Sequence, residues 1–210
     1  MEDDRRAVWS WALYDWANSA FATTVMAGFF PLFFKGYWAD PGAPEQSTFW
    51  LGLANSAAAV IAAAASPFLG AVADRGSAKK RFLFLFTYLG CIMTGGLWFV
   101  ARGDWPLAVA LYVAANVGFS GGNTFYDSLL PGVASEQRVD YASSLGYALG
   151  YAGGGILFLT NVLMYLKPAA FGIADGPTAI RLSFVSVGLW WAAFSIPVFV
   201  FVKEPAVENA

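Results

Sequence analysis

The residues best able to do chemistry in this sequence are carboxylates and amides set within long apolar stretches. Asp15, Asn18 and Ser19 follow one another at spacings of three and one, so that a helix would carry all three on one face. A second ribbon, spaced by three and four, comprises Asn116, Ser120, Asn123 and Asp127. Polar stripes inside a membrane face a bundle interior or a water-filled cavity. We therefore expect a substrate or ion pathway lined by Asp15, Asn18, Asn116, Asn123 and Asp127.

Each of these residues also has a purely structural interpretation. Asp15 is either a gate, proton or substrate contact, or an interfacial carboxylate capped by a neighbouring helix end. Asn116 falls near the middle of its apolar stretch, where it either lines a cavity or joins two helices by a hydrogen bond. Asp127 falls at the edge of the same stretch, where gate packing or snorkelling competes with substrate contact.

The composition excludes several other kinds of site. The chain has no histidine, which removes histidine base catalysis, histidine metal sites and Ser-His-Asp hydrolysis. Its single cysteine, Cys91, cannot form an intrachain disulfide or a thiolate zinc site. The net charge of −2 leaves no footprint for nucleic acid, and no phosphate-binding P-loop is present. We expect a protein that is not an enzyme and that holds neither cofactor nor metal.

The element that must position the polar ribbons is a membrane-spanning helix. Of the 210 residues, 58% are hydrophobic and 12% are charged, against about 45–50% and about 25% in soluble domains. The mean hydropathy is +0.56. A spanning helix needs about 20 apolar residues, and the apolar runs here are long and lack strict alternation. We predict an all-α membrane protein, one domain over 1–210, embedded in the lipid bilayer. The predicted spans are approximately 8–34, 49–73, 82–101, 106–130, 142–166 and 182–202.

Lysine and arginine counts predict the orientation of the six spans. A cytoplasmic N-terminus places eight basic residues inside and four outside, which agrees with the positive-inside rule. Six spans then return the C-terminus to the same side, so both termini are expected in the cytoplasm. The inside set is Arg5, Arg6, Arg75, Lys79, Lys80, Arg81, Arg138 and Lys203, and the outside set is Lys35, Arg102, Lys167 and Arg181.

The spans follow an order that repeats after three. Spans one and four carry the polar ribbons, and spans two and five are rich in small residues. Spans three and six are aromatic without Asp, Asn, Glu, Gln, Lys or Arg, as in lipid-facing helices. A 3+3 pattern is typical of the repeats within a six-helix transporter half. In span five, Gly146, Gly150 and Gly154 form a packing seam, either within the six-helix unit or against a second half.

A loop between spans two and three carries a first resemblance. The run Gly70-Ala-Val-Ala-Asp74-Arg75-Gly76 is followed by three basic residues. It resembles the loop signature of the major facilitator superfamily. The resemblance implies a cytoplasmic loop that anchors helix ends and biases a gate, formed by Gly70, Asp74, Arg75, Lys79, Lys80 and Arg81.

A second resemblance covers most of the chain. The run from Trp11 to Phe21, the stretch Asn116 to Pro131 and the stretch Gly146 to Gly154 are similar to the vacuole-effluxer-like branch of that superfamily, related to the fungal autophagy amino-acid effluxers. The resemblance implies a multi-pass transporter, with amino-acid export known for fungal relatives. Members have two six-helix halves, and this chain is similar to the N-terminal half only. It is either a fragment, or a half-transporter that needs a second copy or a partner half.

The sequence thus favours a secondary transporter, or half-transporter, that moves a small solute by alternating access, with amino acids as the candidate cargo. The alternative is a non-transporting membrane subunit or scaffold that pairs with another membrane protein. We expect a multi-pass protein of a bacterial cytoplasmic (inner) membrane. The substrate, the direction of transport and the coupling ion stay open.

Overall fold

The computed structural model describes residues 4–40, 42–75 and 78–204, with no account of the side chains of 73–75. Over these residues the backbone forms helices joined by short connections, and contains no strand. Each of the predicted spans lies on one long helical segment. These segments are α1 (Arg5–Trp38), α2 (Pro44–Arg75), α3 (Lys79–Phe99), α4 (Trp105–Val133), α5 (Val139–Leu166) and α6 (Gly176–Phe201).

Five of these segments are long and apolar enough to cross a membrane, and α4 is the exception. At 29 residues, α4 is long enough to cross a hydrocarbon core about 30 Å thick. Its composition is less apolar because it carries Asn116, Asn123 and Asp127. The helix that departs from a simple span is therefore one of the two on which the sequence places a pathway.

Helix α1 is irregular beyond its first half. The Asp4 carboxylate caps its start by accepting a hydrogen bond from the N–H of Arg6, 2.9 Å away. From Phe21 to Phe29 and from Phe34 to Trp38 the helix widens into π turns. Pro31, which has no N–H to donate, lies between these two segments. Wide turns of this kind are rare and are frequently found at functional sites.

Helix α1 is the most buried of the five apolar segments, and α2 is the least. In the most apolar stretch of each, 56% of α1 is buried against 11% of α2. Close approach elsewhere depends on glycine: a Cβ atom at Gly118 of α4 would lie 2.5 Å from the backbone nitrogen of Gly90 on α3. Small residues therefore let α3 and α4 meet along their backbones.

The core is largely aromatic, and it includes residues that the sequence assigned to lipid. The prediction that span six faces lipid is wrong for Phe184 and Trp191, which are both fully buried. A Cβ atom at Gly90 would clash with the Trp191 ring, and this ring also lies 5.7 Å from that of Phe21. A helix without strongly polar residues can still bury one face, because large rings fill the space that small neighbours leave.

Polar contacts hold neighbouring helices together at the ends of the bundle. At the end that holds Trp38, the Arg181 guanidinium donates to the carbonyl of Trp98. Nearby, the Asp175 carboxylate caps α6 by accepting from the N–H of Thr178 at 2.7 Å. Hydrogen bonding from the Thr178 side chain, and then from its backbone N–H, lowers the pKa of Asp175. The opposite end, where α1 and α5 begin and α4 and α6 finish, is called the Arg5 end below.

Candidate functional site

The two predicted polar ribbons meet in the structure. The Asn18 Nδ2 atom on α1 donates to the Asn123 Oδ1 atom on α4 across 2.6 Å. Two further contacts give the direction of the pairing: the Trp11 indole donates to the carbonyl of Tyr126, and the Phe30 ring stacks on that of Tyr112 at 3.8 Å. Residue numbers rise along α1 as they fall along α4, so the two helices are antiparallel.

This antiparallel pairing brings the two carboxylates into one cavity. Three residues back from Asn18 is Asp15, and four residues on from Asn123 is Asp127, so both lie about 4.5–6 Å nearer the Arg5 end. They line a cavity of about 240 Å³, which we call the Asp15 cavity. The described residues around it are Trp11, Asp15, Asn123, Tyr126, Asp127, Leu130, Ser143 and Tyr147.

A second cavity of about 220 Å³ adjoins the first and shares Asp15 and Tyr147 with it. It lies between α1 and α5 and extends towards the middle of the chain's first helix. Its other described lining residues are Ser19, Ala22, Thr23, Gly150 and Tyr151. Asp15 therefore stands at the boundary between two connected spaces, one reaching α4 and the other following α5.

The carboxylates in these spaces are not neutralised by the described part of the chain. The Asp15 Oδ1 atom accepts a hydrogen bond from the Ser19 hydroxyl at 3.3 Å. Among the described residues that line the two cavities there is no lysine or arginine. The described residues also contain no group of three or more metal-ligating side chains. The arrangement can attract a cation or hold a hydrogen-bond donor, because no described lining side chain carries a positive charge that would already neutralise the carboxylates.

A stack of rings forms one wall of the Asp15 cavity. The Tyr126 ring lies between that of Trp11, at 4.3 Å, and that of Tyr14, at 4.8 Å. Tyr14 is fixed in turn by a hydrogen bond of 2.9 Å between its hydroxyl and that of Thr87. The Tyr126 hydroxyl is buried and has no hydrogen-bond partner among the described residues, and Tyr126 as a whole is 5% exposed. The hydroxyl lies 3.1 Å from a Cβ atom placed at Gly146, on the side of α5, and burying it unpaired costs free energy.

Sequence reasoning missed five described lining residues of the Asp15 cavity: Trp11, Tyr126, Leu130, Ser143 and Tyr147. A signal was present in the spacing. Trp11 lies four residues before Asp15, and Ser143 and Tyr147 lie four apart on the ridge that leads to Gly150. Side chains at such spacings share a helix face, so each could have been added to its ribbon.

The three glycines of α5 pack against α1. A Cβ atom would lie 3.0 Å from the Trp11 ring at Gly146, 2.7 Å from the Ser19 hydroxyl at Gly150, and 3.0 Å from the Ser19 carbonyl at Gly154. All three glycines are buried. Of the two alternatives for this seam, the contacts support packing within the six-helix unit.

Asn116 lies apart from the other ribbon residues. Its side chain is 6% exposed, and its amide donates to the carbonyl of Tyr112 on its own helix at 2.9 Å. The hydroxyl of Tyr112 donates to the Asn55 Oδ1 atom on α2. Asn116 lines neither of the two cavities, and the hydrogen bond of its amide stays within its own helix, so these contacts show neither a pathway role nor a bond between two helices.

The loop motif is described only in part. The side chains of Asp74 and Arg75 lie outside the described residues, and no atom of the described part of the chain lies within 4 Å of a Cβ atom placed at Gly70. Lys79 donates from Nζ to the carbonyl of Ser128 on α4, 3.1 Å away. Lys80 donates from Nζ to the carbonyl of Val202 and from its backbone N–H to Glu204.

The lysines at the start of α3 thus tie the Arg5 ends of α4 and α6 together. Arg81 is exposed beside them, and its backbone N–H donates to the carbonyl of Ala78. These contacts hold the end of α4 that carries Asp127 and Ser128 against the start of α3.

Comparison with known proteins gives one family. The chain matches the family described as "Vacuole effluxer Atg22 like" over residues 3–50, 47–142 and 134–209. A Bacillus subtilis protein named as an uncharacterized MFS-type transporter, YxiO, is 38% identical over 197 residues, which is 93% of this chain and 46% of the relative.

More distant relatives are bacterial and fungal. An uncharacterized protein of Aquifex aeolicus is 25% identical over 95% of this chain and 46% of its own length. Autophagy-related protein 22 of Pichia angusta is 24% identical over 82% of this chain and 34% of its own length. The chain therefore spans less than half the length of each of these relatives. No solved structure matches it significantly.

Proposed function

The chain belongs to the vacuole effluxer Atg22-like family, and we propose that it forms one six-helix half of a secondary transporter that moves a small solute by alternating access. The observation that carries the proposal is the Asp15 cavity. It places two carboxylates and an amide pair between α1, α4 and α5. Such polar side chains at membrane depth face the bundle interior or a water-filled cavity rather than lipid.

The proposal includes six crossings, with α4 as the fourth. Five helices are apolar enough on their own, and Asn123 and Asp127 of α4 are turned towards α1 and the cavity. A polar residue at membrane depth is tolerated when it faces protein or a water-filled space. The excess of basic residues at the Arg5 end supports a cytoplasmic location for both termini, in a bacterial cytoplasmic membrane.

Alternating access requires a second body that rocks against the first around the site. The surfaces left for it are on α2 and α5. Helix α2 is the least buried apolar segment, with Val60 and Phe68 exposed by about two thirds, and α5 exposes Tyr147 and Tyr151 next to the cavities. We propose that a second six-helix half covers these surfaces, either another part of the same polypeptide, a second copy of this chain or a partner chain.

Amino acids are the first substrate class to test. The name of the matched family describes an effluxer, and a cavity of about 240 Å³ has room for a small solute rather than for a drug-sized one. In this scheme Asp15 contacts the solute or its coupling ion, and Asn18 and Asn123 hold α1 to α4 during the cycle.

Counterflow in liposomes tests the proposal. The purified chain is reconstituted, its oligomeric state is determined, and uptake of labelled amino acids is compared for wild type, Asp15→Asn and Asp140→Asn. Asp140 is an exposed carboxylate in the first turn of α5 that lines neither cavity, so its variant is the matched control.

We expect uptake by an assembled form that is lost in Asp15→Asn and kept in Asp140→Asn. A strict monomer without flux for any solute would contradict a transporter that is completed by a second copy of this chain, and equal flux in both variants would contradict the role given to Asp15. The first of these outcomes would favour a non-transporting subunit instead.

A further inference from the structure

We propose that the Asp15 cavity binds the ammonium group of a small organic amine, an inference that rests on the transporter function proposed above and adds its substrate class. The first argument is charge. Asp15 and Asp127 both line the cavity, and the described lining residues include no lysine or arginine to balance them. A solute that brings one positive charge and several N–H donors fits two carboxylates better than an anion or a neutral solute does.

The second argument is the aromatic lining. The ring faces of Tyr126 are covered by Trp11 and Tyr14, whereas the Tyr147 ring lines the cavity and stacks on no other ring of the described residues. Aromatic faces attract organic ammonium groups through the ring quadrupole, and they also cover the hydrocarbon part of such a solute. Metal cations would gain from the carboxylates but not from these apolar walls.

The lining also predicts an order among related solutes. An amine carries the ammonium group alone, an amino acid adds a carboxylate, and a carboxylic acid has only the anion. Because the described walls offer the anion no cationic partner, each added carboxylate must be desolvated beside Asp15 or Asp127. We expect phenethylamine to bind tighter than phenylalanine, and phenylalanine tighter than 3-phenylpropionate.

Titration calorimetry on the full chain in lipid nanodiscs tests this order directly. The three compounds share one ring and differ only in charge. Phenethylamine should bind wild type with the lowest Kd, and Asp15→Asn should weaken that binding by about tenfold or more, because one charge-assisted hydrogen bond is lost. Asp140→Asn should leave the Kd unchanged. Helix content and elution volume show whether each variant keeps the fold, and Asp15→Glu should recover part of the affinity.

Three results would overturn the inference: absence of phenethylamine binding, an equal Kd in wild type and folded Asp15→Asn, or 3-phenylpropionate binding as tightly as phenethylamine. These outcomes are separable from those of the transport assay. Amine binding that depends on Asp15 without flux would contradict the transporter proposal alone. Transport of a solute whose Kd is unchanged by Asp15→Asn would contradict the amine site alone.

Discussion

The amide pair between Asn18 and Asn123 sets the register of α1 against α4, and through it the position of both carboxylates. Asn18 is 2% exposed, and its amide reaches Asn123 across 2.6 Å. A slip of one turn along either helix would break this bond and move Asp15 away from Asp127. The chemistry proposed for the cavity therefore depends on two neutral residues that need not touch the solute.

Loss of one member of the amide pair should be costly. In Asn123→Leu the buried amide of Asn18 is left without its acceptor, and we expect the free energy of unfolding to fall by about 1–3 kcal/mol. Unfolding in mixed detergent micelles measures it. The double variant with Asn18→Leu should lose less than the two single variants together, by about 0.6–1.7 kcal/mol. Strict additivity would mean that the pair does not couple the helices.

Removing the hydroxyl of Tyr126 and removing that of Tyr14 should have different effects on the free energy of unfolding. Tyr126→Phe removes a buried hydroxyl that has no partner, so the free energy of unfolding should stay the same or rise. Tyr14→Phe breaks a hydrogen bond to Thr87 and should lower it by about 1 kcal/mol. Equal destabilisation by both changes, measured in the same micelles, would show that Tyr126 has a structural partner.

At the scale of the helices, spacing predicts which residues share a face but not which neighbour that face meets. Each apolar run lies on one helical segment, and five of these segments are apolar enough to cross a membrane. The ribbon residues Asn18 and Asn123 meet between α1 and α4, as a common helix face for each ribbon requires. The sequence did not determine which helix packs against the glycines of α5, and in the structure that helix is α1. Asn116 shares its ribbon with Asn123, yet it bonds to its own helix, because one helix face spans more than one environment.

The seam between α1 and α5 should be intolerant of a single methyl group. At Gly153 a Cβ atom would lie 2.5 Å from the carbonyl oxygen of Trp16, a backbone atom that cannot rotate away. We expect Gly153→Ala to lower the free energy of unfolding by about 1–3 kcal/mol. Gly155→Ala is the control two residues on, since nothing lies within 4 Å of its Cβ position. It should be neutral or stabilising by up to about 1 kcal/mol, as helix propensity requires.

The start of α6 should give a pH-dependent contribution to stability. The hydrogen bond from Thr178 lowers the pKa of Asp175, so the cap stabilises the fold above the ordinary aspartate pKa of about 3.9 and is lost as the pH falls below it. The Tm difference between wild type and Asp175→Ala should be constant near neutral pH and shrink below about pH 4. A difference that grows on acidification would contradict this assignment of the cap.

At the scale of the whole molecule, composition was sufficient for the class and motifs were sufficient for the family. Low charge and long apolar runs predicted a helical membrane protein, and the runs around Trp11, Asn116 and Gly146 predicted the vacuole effluxer Atg22-like family to which the chain belongs. Neither composition nor motifs predicted how the aromatic rings pack. Trp11, Tyr126 and Trp191 look like ordinary apolar residues in sequence, and only their neighbours make two of them a cavity wall and the third a core residue.

Access of water to the Asp15 cavity tests the central claim that this space is the solute pathway. In a Cys91→Ala background the chain carries no other native cysteine, so Tyr147→Cys and Leu189→Cys can be compared in the same membrane vesicles. Both positions are about two thirds exposed, but Tyr147 lines the cavities and Leu189 lies on α6 away from them. A membrane-impermeant thiol reagent should modify Tyr147→Cys and spare Leu189→Cys, and a bound solute should slow the reaction. Equal reactivity at both positions, or none at Tyr147→Cys from either side of the membrane, would contradict the account.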